Sequence, residues 1–388
     1  MKNTKLLLEA IATLVGTVIG AGILGMPYIV ATSGFWTGIV VIIVLGLVTT
    51  LLYLYLGEIV LRTKGLHQLT GYAEKYLGKT GKELMAISMM IGIYGALTAY
   101  IIGEGKSISN LFGFNGLTVD ILGLNISSGA AFGFAFFIIV SIVVYLGIDA
   151  VGKSEMYLLP TYVGAILLIC LFSIKHVDPV NFTSFDLSKI LIPYGVVLFA
   201  FLGATAIPQM SEEIRKNKKL MKKAILIGMS IPFFVYLLFT LFVVGVTGIN
   251  TTEVATIGLG GLLGPIMFVF GNIFAIFAMA TSFLALGLAL QEMYEYDYKL
   301  KRKLSWLLTC IPPLIIALSG ITSFTKVIGL GGTIAGGIDG VLIALMAYKA
   351  KKLGDRKPEY QIPINWFIIA LLSLLFAGGA LYYFLQIL

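Results

Sequence analysis

The residues of this sequence best suited to chemistry are mostly backbone. The segment GTVIGAGILGMP, Gly16–Pro27, places four glycines and a proline inside an uninterrupted apolar run. Glycine and proline spoil a helix, and a helix that stops inside an apolar solvent exposes N–H and C=O groups. Such groups are tolerated there only when buried in protein or lining a wet cavity. The freed N–H groups would sit at the start of a half-helix, where the dipole favours an anion such as a carboxylate. The freed carbonyls suit a cation, and glycines let a ligand approach without a Cβ in the way. FAFLGATAIPQM, Phe199–Met210, repeats the anomaly, with Gly203 in mid-run and Pro208 after it. The plainer alternative is close helix packing by small residues. It explains GAG alone, but not two matching breaks each followed by proline. One side chain joins this set. Asp339 stands deep in an apolar run, where a charge costs at least ~2.5–3.5 kcal/mol, so it should face the interior. Glycines 336, 337 and 340 surround it, so bonding freed backbone groups is its structural alternative. Glu9, Glu58 and Glu104 fall near the ends of apolar runs, within expected reach of water.

The elements that must hold these residues are membrane helices. Apolar residues make up 59% of the 388, and charged residues 12%, about half the ~25% of soluble domains. Mean hydropathy is +0.99. Eleven apolar stretches reach the length of a bilayer crossing, at roughly 6–31, 36–61, 83–110, 128–148, 155–174, 190–211, 221–248, 262–293, 304–320, 325–348 and 363–386. The basic start could pass for a signal peptide, but Glu9 interrupts it and no cleavage site follows. TKGLHQLTGYAEKYLGKTGK, between the second and third spans, is too polar to cross and reads as a surface helix with Tyr72 and Tyr76 at the headgroups. The segment KSEMYLLP opens the fifth span. Cys170 and Cys310 fall inside spans and read as core residues.

The net charge of +8 comes from short loops, which argues against a nucleic-acid partner. With the N-terminus placed inside, only Lys106, Lys175, Lys189 and Lys326 of the 27 basic residues fall outside. The positive-inside rule therefore predicts a cytoplasmic N-terminus and an outer C-terminus in the plasma membrane. The breaks lie in the first and sixth spans, five apart, and paired interrupted helices point to an inverted-repeat transporter. Residues 6–174 and 190–348 would form the halves, with 363–386 an additional helix. The two halves share little sequence beyond ALTAYIIG and ATSFLALG in the third and eighth spans.

GTVIGAGILGMP closely resembles the first-span signature of the amino acid/auxin permease family, nearest to its bacterial aromatic and hydroxy amino acid permease branch. ALTAYIIGEG at Ala96–Gly105, AMATSFLALGLAL at Ala278–Leu290, GLGGTIAGGIDGVLIALMAY at Gly329–Tyr348 and AIPQMSEEIRKN agree in order and placement. The resemblance covers nearly the whole chain. It implies an all-α polytopic membrane protein of the LeuT-like fold in the APC superfamily. It also implies an amino acid transporter that works by alternating access as a cation-coupled symporter. The substrate carboxylate would meet N–H groups of Ala21 and Gly22, flanked by Gly20. The amino group would meet carbonyls near Thr17 and Val18 and around Phe199, Phe201 and Gly203, with Tyr100 a side-chain contact.

In sodium-coupled relatives an Ala-x-x-Ser/Thr-Ser/Thr pattern of the eighth span meets carbonyls of the first. Ala278, Thr281 and Ser282 fit it, sharing one helix face, with Gly16 and Ile19 opposite. Hydroxyls that only bond back to their own helix are the alternative. A proton through Asp339 is the other coupling candidate, and sodium is favoured over it. Lys153 lies too near the start of the fifth span to replace the ion. The resemblance implies no cofactor beyond Na+ or H+.

Three rival classes fit less well. A channel needs polar groups at midplane but not two broken helices in inverted relation. DPVN, Asp178–Asn181, mimics a metal-transporter motif but lies in a loop, so it reads as a turn. No HExxH, P-loop or Gly-x-Ser-x-Gly stands in a suitable context for a membrane enzyme.

Overall fold

The computed structural model describes residues 2–65, 67–114, 116–121, 124–147, 163–296 and 298–387. Lys153 and the KSEMYLLP segment lie outside them. The chain is a stack of long apolar helices whose outward faces carry bare hydrophobic side chains such as Leu47, Ile139, Leu171, Phe277 and Leu374. Those faces are suited to lipid, while backbone hydrogen bonds are met within each helix.

The first crossing is two helices, α1 (Lys2–Val18) and α2 (Gly22–Ser33), bent by 51° at their junction. There follow α3 (Phe35–Arg62), α4 (Leu69–Leu77) and α5 (Lys79–Leu111), an antiparallel strand pair β1 (Thr118–Ile121) and β2 (Leu124–Ser127), then α6 (Ser128–Leu146) and α7 (Val163–His176). The sixth crossing is again double, α8 (Tyr194–Ala200) and α9 (Ala206–Glu213). After it come α10 (Met221–Thr247), α11 (Ala255–Leu263), α12 (Pro265–Tyr296), α13 (Arg302–Leu318), α14 (Phe324–Leu353) and α15 (Trp366–Ile387). Among the described residues seven helices are long and apolar enough to span a bilayer, or eight with the bent first pair. The order is compatible with eleven crossings, the shorter three falling on α7, on α8 with α9, and on α13. The hairpin and α11 are additions to the all-helical expectation, and both sit in loops between spans.

The prolines do not make the breaks. Pro27 lies inside α2 and Pro208 inside α9, both downstream of the unwound residues, while α10 and α13 run unbroken through Pro232, Pro312 and Pro313. Two sets of helices emerge from the packing. In one, α1 and α2, α3, α8 and α9, and α10 contact one another. In the other, α5, α6, α12 and α13 do so, and α14 touches both sets.

Several polar residues depart from expectation. Tyr72 and Tyr76 are buried under α4 rather than set at headgroups, and the Tyr76 hydroxyl pairs with Thr63 Oγ1 at 2.7 Å. Glu58 and Glu104 are buried, not washed by water. Glu58 accepts from Arg62 Nε at 2.8 Å and Lys351 Nζ at 2.6 Å on one oxygen, and from the Ile362 N–H at 2.7 Å on the other. This ties α3 to α14 and to the loop before α15. DPVN forms a short 3-10 turn with Asp178 capping the Val180 N–H at 3.0 Å. Cys170 and Cys310 are free and buried.

Removing one partner of a buried charge cluster typically costs ~3–5 kcal/mol, because the others lose their counter-charge. Glu58→Ala is therefore expected to lower the melting temperature of the detergent-solubilised protein clearly. Glu9→Ala, which loses only a half-exposed 3.8 Å pair with Lys5, should change it little. Equal melting of the two variants would show that the Glu58 cluster contributes nothing.

Candidate functional site

The site begins with unwound backbone. At the first break the Ile19 N–H still closes on the Val15 carbonyl at 2.8 Å, and the Gly20 N–H turns onto the Val18 carbonyl at 3.1 Å. The helix restarts at Gly22, so the N–H groups of Ala21 and Gly22 have no preceding turn to accept them. At the second break the helix stops at Ala200 and restarts at Ala206, with the Leu202 N–H on the Phe199 carbonyl at 3.0 Å.

Two buried tyrosines take up groups that the breaks release. Tyr236 of α10 donates to the Val18 carbonyl at 2.6 Å and lies 2.9 Å from the Ala200 carbonyl, so one hydroxyl touches both breaks. Tyr53 of α3 donates to the Phe201 carbonyl at 2.6 Å and accepts from the Gly203 N–H at 2.5 Å. The relation is reciprocal. Tyr53 and Tyr236 are separated in sequence by the same interval as Val18 and Phe201, so each tyrosine serves the break in the opposite half. The phenol is large enough to reach from a neighbouring helix and both donates and accepts.

The broken segments meet closely. A Cβ at Gly22 would lie 2.5 Å from the Ala200 Cα, and one at Gly20 would lie 3.2 Å from both Ser282 Oγ and Tyr100 Oη. Gly22 therefore permits backbone contact between the two breaks, whereas Gly20 makes room for two hydroxyls. Beside them opens a small cavity of about 80 Å³.

Of the residues marked in the sequence, Thr17, Val18, Gly20, Gly22, Tyr100, Phe199, Gly203 and Asp339 line this cavity. Ala21 and Phe201 do not line it, although both lie buried beside it. The Phe201 ring packs edge-on against Tyr236 at 5.2 Å. Asp339 Oδ1 accepts from Ser88 Oγ at 2.6 Å, rather than from freed backbone groups. An adjoining cavity is lined by Gly16, Thr17, Tyr100 and Ser282, and by exposed Gln68, Gln209 and Glu292. It opens towards the face that carries α4 and most basic loops. Ile19, Ala278 and Thr281 line neither cavity, and Thr281 Oγ1 bonds back to the carbonyls of Phe277 at 2.9 Å and Ala278 at 3.2 Å. The hydroxyl thus takes the local alternative that mid-helix threonines favour.

Sequence reasoning missed Tyr53, Tyr236 and Ser88. The signal for the tyrosines was their equal spacing relative to the breaks. Ser88 carried none, because a serine in an apolar helix is ordinary.

Two unwound helices in contact beside a cavity that both line, inside a multi-pass bundle, define a broken-helix membrane transporter. The fold is similar to that of MhsT, crystallised in complex with L-phenylalanine. The two match with a TM-score of 0.68 over 97% of this chain and 98% of that one, at 15% identity. The chain belongs to the tryptophan/tyrosine permease family, whose model matches residues 3–383. It is a transport protein, not an enzyme. It is 28% identical to the tyrosine-specific transport system 1 of Haemophilus influenzae over 88% of each chain. It is 24% identical to the tryptophan-specific transport protein of Shigella flexneri, over 98% of this chain and 95% of that one. A glutamine transporter 2 of Aliivibrio fischeri is 23% identical over 92% and 91%.

The two glycines make a paired test. Gly20→Ala should displace Tyr100 and Ser282 and weaken amino acid binding at least several-fold while leaving the melting temperature near wild type. Gly22→Ala should lower stability first, because its Cβ meets backbone that cannot yield. Thermal unfolding and equilibrium binding on both variants check this, and a reversed order would misplace the cavity relative to the packing contact.

Proposed function

We propose that the chain moves amino acids with apolar, chiefly aromatic, side chains across the plasma membrane by cation-coupled alternating access. One observation carries this reading: the backbone of both breaks faces a cavity whose wall is largely apolar, with Met89, Ile93, Ala96 and Leu286 beside Ser88, Tyr100 and Asp339. An amino acid has a carboxylate, an ammonium group and a side chain. The start of α2, with the Ala21 and Gly22 N–H groups, suits the first. Carbonyls of Thr17 and the stretch from Phe199 to Gly203 suit the second, since a carbonyl bonded once keeps a lone pair, whereas the Val18 carbonyl already accepts from the Gly20 N–H and Tyr236. The apolar wall suits the third, and Tyr100 stands beside all of them. The tyrosine and tryptophan relatives support an aromatic substrate.

The reciprocal tyrosines support residues 6–174 and 190–348 as two inverted repeats, with 363–386 added. The basic loops support a cytoplasmic N-terminus and an outer C-terminus. For the coupling ion, sodium would lie between the first and eighth spans, with carbonyls of Gly16, Ile19 and Ala278 and the Ser282 hydroxyl as hard oxygen ligands. The cavity shared by Gly16 and Ser282 favours it. The place of Asp339 on the cavity wall favours the second reading, a proton.

Counterflow of labelled tyrosine, tryptophan, phenylalanine and glutamine in proteoliposomes, with sodium and pH gradients imposed separately, tests the proposal. Saturable exchange of the aromatic amino acids is expected, and its absence for all four would overturn the function. Ser282→Ala should raise the sodium needed for half-maximal binding by ~5–150-fold, the equivalent of ~1–3 kcal/mol for a lost ligand. Thr281→Val should raise it too, because a hydroxyl that donates to its own helix keeps its lone pairs for an ion. Wild-type binding indifferent to sodium would move the assignment to protons.

We read Glu253 as a latch on the face opposite α4, where it accepts from Lys106 at 2.5 Å on one oxygen. Ser323 at 2.6 Å and Thr325 at 2.7 Å share the other. Burial alone would raise this carboxyl, but the lysine and the two hydroxyls outweigh burial and hold it below the ordinary 4.5. The stabilisation is full above pH about 4.5 and is lost as the pH falls through the lower folded value. Acidification through that window should expose a cysteine placed at Phe324 to a membrane-impermeant thiol reagent. Glu253→Gln should expose it already at neutral pH, and equal protection in every condition would dissolve the latch.

A further inference from the structure

Helix α5 carries a carboxyl that no interaction above employs. Glu104 is completely buried against the Ala280 backbone of α12, and neither of its oxygens meets a donor in good hydrogen-bond geometry. A buried carboxylate without a cation or a well-placed donor is among the costliest groups a membrane interior can hold, and a proton removes the charge.

Its neighbours along one stripe of α5 are polar. Tyr100 is one turn towards the middle, with its hydroxyl beside Ser282 and Gly20. Ser107 is one turn the other way, and its buried Oγ has no partner either. Asn110 follows, with its amide 3.5 Å from Asn272 Oδ1 of α12. The stripe thus runs from the opposite face to the cavity, with Glu104 between.

Charged and titratable groups on the packed elements are engaged or distant. Lys106 of α5 pairs with Glu253. Helix α6 offers only Tyr145, near its far end, and α12 has no ionisable residue before Glu292. Helix α13 has Arg302, Lys303 and Cys310, all in its first half, and α4 lies at the basic face. On α14, Lys326 stands two residues from the start and Asp339 is held by Ser88. Its Tyr348, Lys349, Lys351 and Lys352 lie in the last two turns.

We infer that Glu104 is a proton-binding site of the transport cycle, loaded in the conformation described here and exchanging with water on the opposite face by way of Ser107 and Asn110. This rests on the transport reading above. In the unloading step the carboxyl O–H bond breaks, the proton leaves on water as hydronium, and the electron pair stays on the carboxylate. Reprotonation reverses it. One turn away, Tyr100 senses the change of charge against the first break, so substrate exchange depends on the proton whether or not sodium drives accumulation.

The experiment has two arms on the full-length protein. In proteoliposomes, exchange of labelled tyrosine by wild type should fall as the outer pH rises. Glu104→Gln, which keeps the shape of the protonated group, should run at the acid-limit rate at every pH. In infrared titration, wild type should show a protonated-carboxyl band that disappears at alkaline pH. That band should be absent in Glu104→Gln and present in Asp339→Asn. Should Glu104→Gln fail to fold, Glu104→Asp keeps the acid but must shift both band and midpoint. A wild-type pH profile in Glu104→Gln, or no carboxyl band that responds to either substitution, overturns the site. The infrared arm reads Glu104 without transport, so absent exchange in wild type would count against the function and not against the site.

Discussion

Everything in this protein follows from one constraint: backbone that is unwound in the middle of a membrane must find partners there. An unmet buried N–H or C=O costs several kcal/mol, so a break is stable only if neighbouring helices supply hydroxyls. Tyr53 and Tyr236 do so, each reaching from the helix after one break to the opposite break. The consequence is mechanical as well as energetic. The single Tyr236 hydroxyl donates to the Val18 carbonyl and lies 2.9 Å from the Ala200 carbonyl, so the two unwound segments pack into one body with α3 and α10. That body is the helix set that packs on itself, separate from α5, α6, α12 and α13. On the proposed reading, a ligand held by the breaks would lie at the seam between the sets, where relative movement would change access most.

The tyrosines also explain why the breaks can be polar without being wet. Groups turned towards α3 and α10 are capped by phenols. The start of α2 and the stretch around Gly203 are turned towards the cavity. The same unwinding therefore supplies structure on one side and a binding surface on the other. Glycine at 20 and 22 is required by what lies opposite, two hydroxyls in one case and the Ala200 backbone in the other. The prolines, by contrast, sit in continuing helix and are not the cause of either break.

Much of the fold was legible because apolar runs and basic loops are one-dimensional signals. The span limits fall within a few residues of the helices, apart from the fifth, described only from residue 163. The breaks were legible because glycine clusters in apolar runs are rare. What escaped were features made by packing between distant segments. Tyr72 and Tyr76 have an interfacial composition, yet α4 folds back on α5 and α14 and buries them. Glu58 and Glu104 sit near the ends of apolar runs, but the loop before α15 covers the first and the α5–α12 interface encloses the second.

The division of labour at the cavity bears on selectivity. Recognition of an amino acid by backbone groups acts on what all amino acids share and cannot distinguish them. On the proposed reading, discrimination would fall to the opposite wall, where Met89, Ile93, Ala96 and Leu286 come from helices outside the tied body. An apolar pocket separates substrates differing by a methylene by only ~1–3 kcal/mol, whereas a site built to pair a polar group rejects analogues lacking it far more strongly. In this wall the paired side chain is Asp339 with Ser88, and Tyr100 is the hydroxyl next to the first break. A wall of this kind tolerates a range of large apolar side chains and changes preference through few substitutions. The tyrosine phenols behind the breaks are held to one identity by the carbonyls they cap.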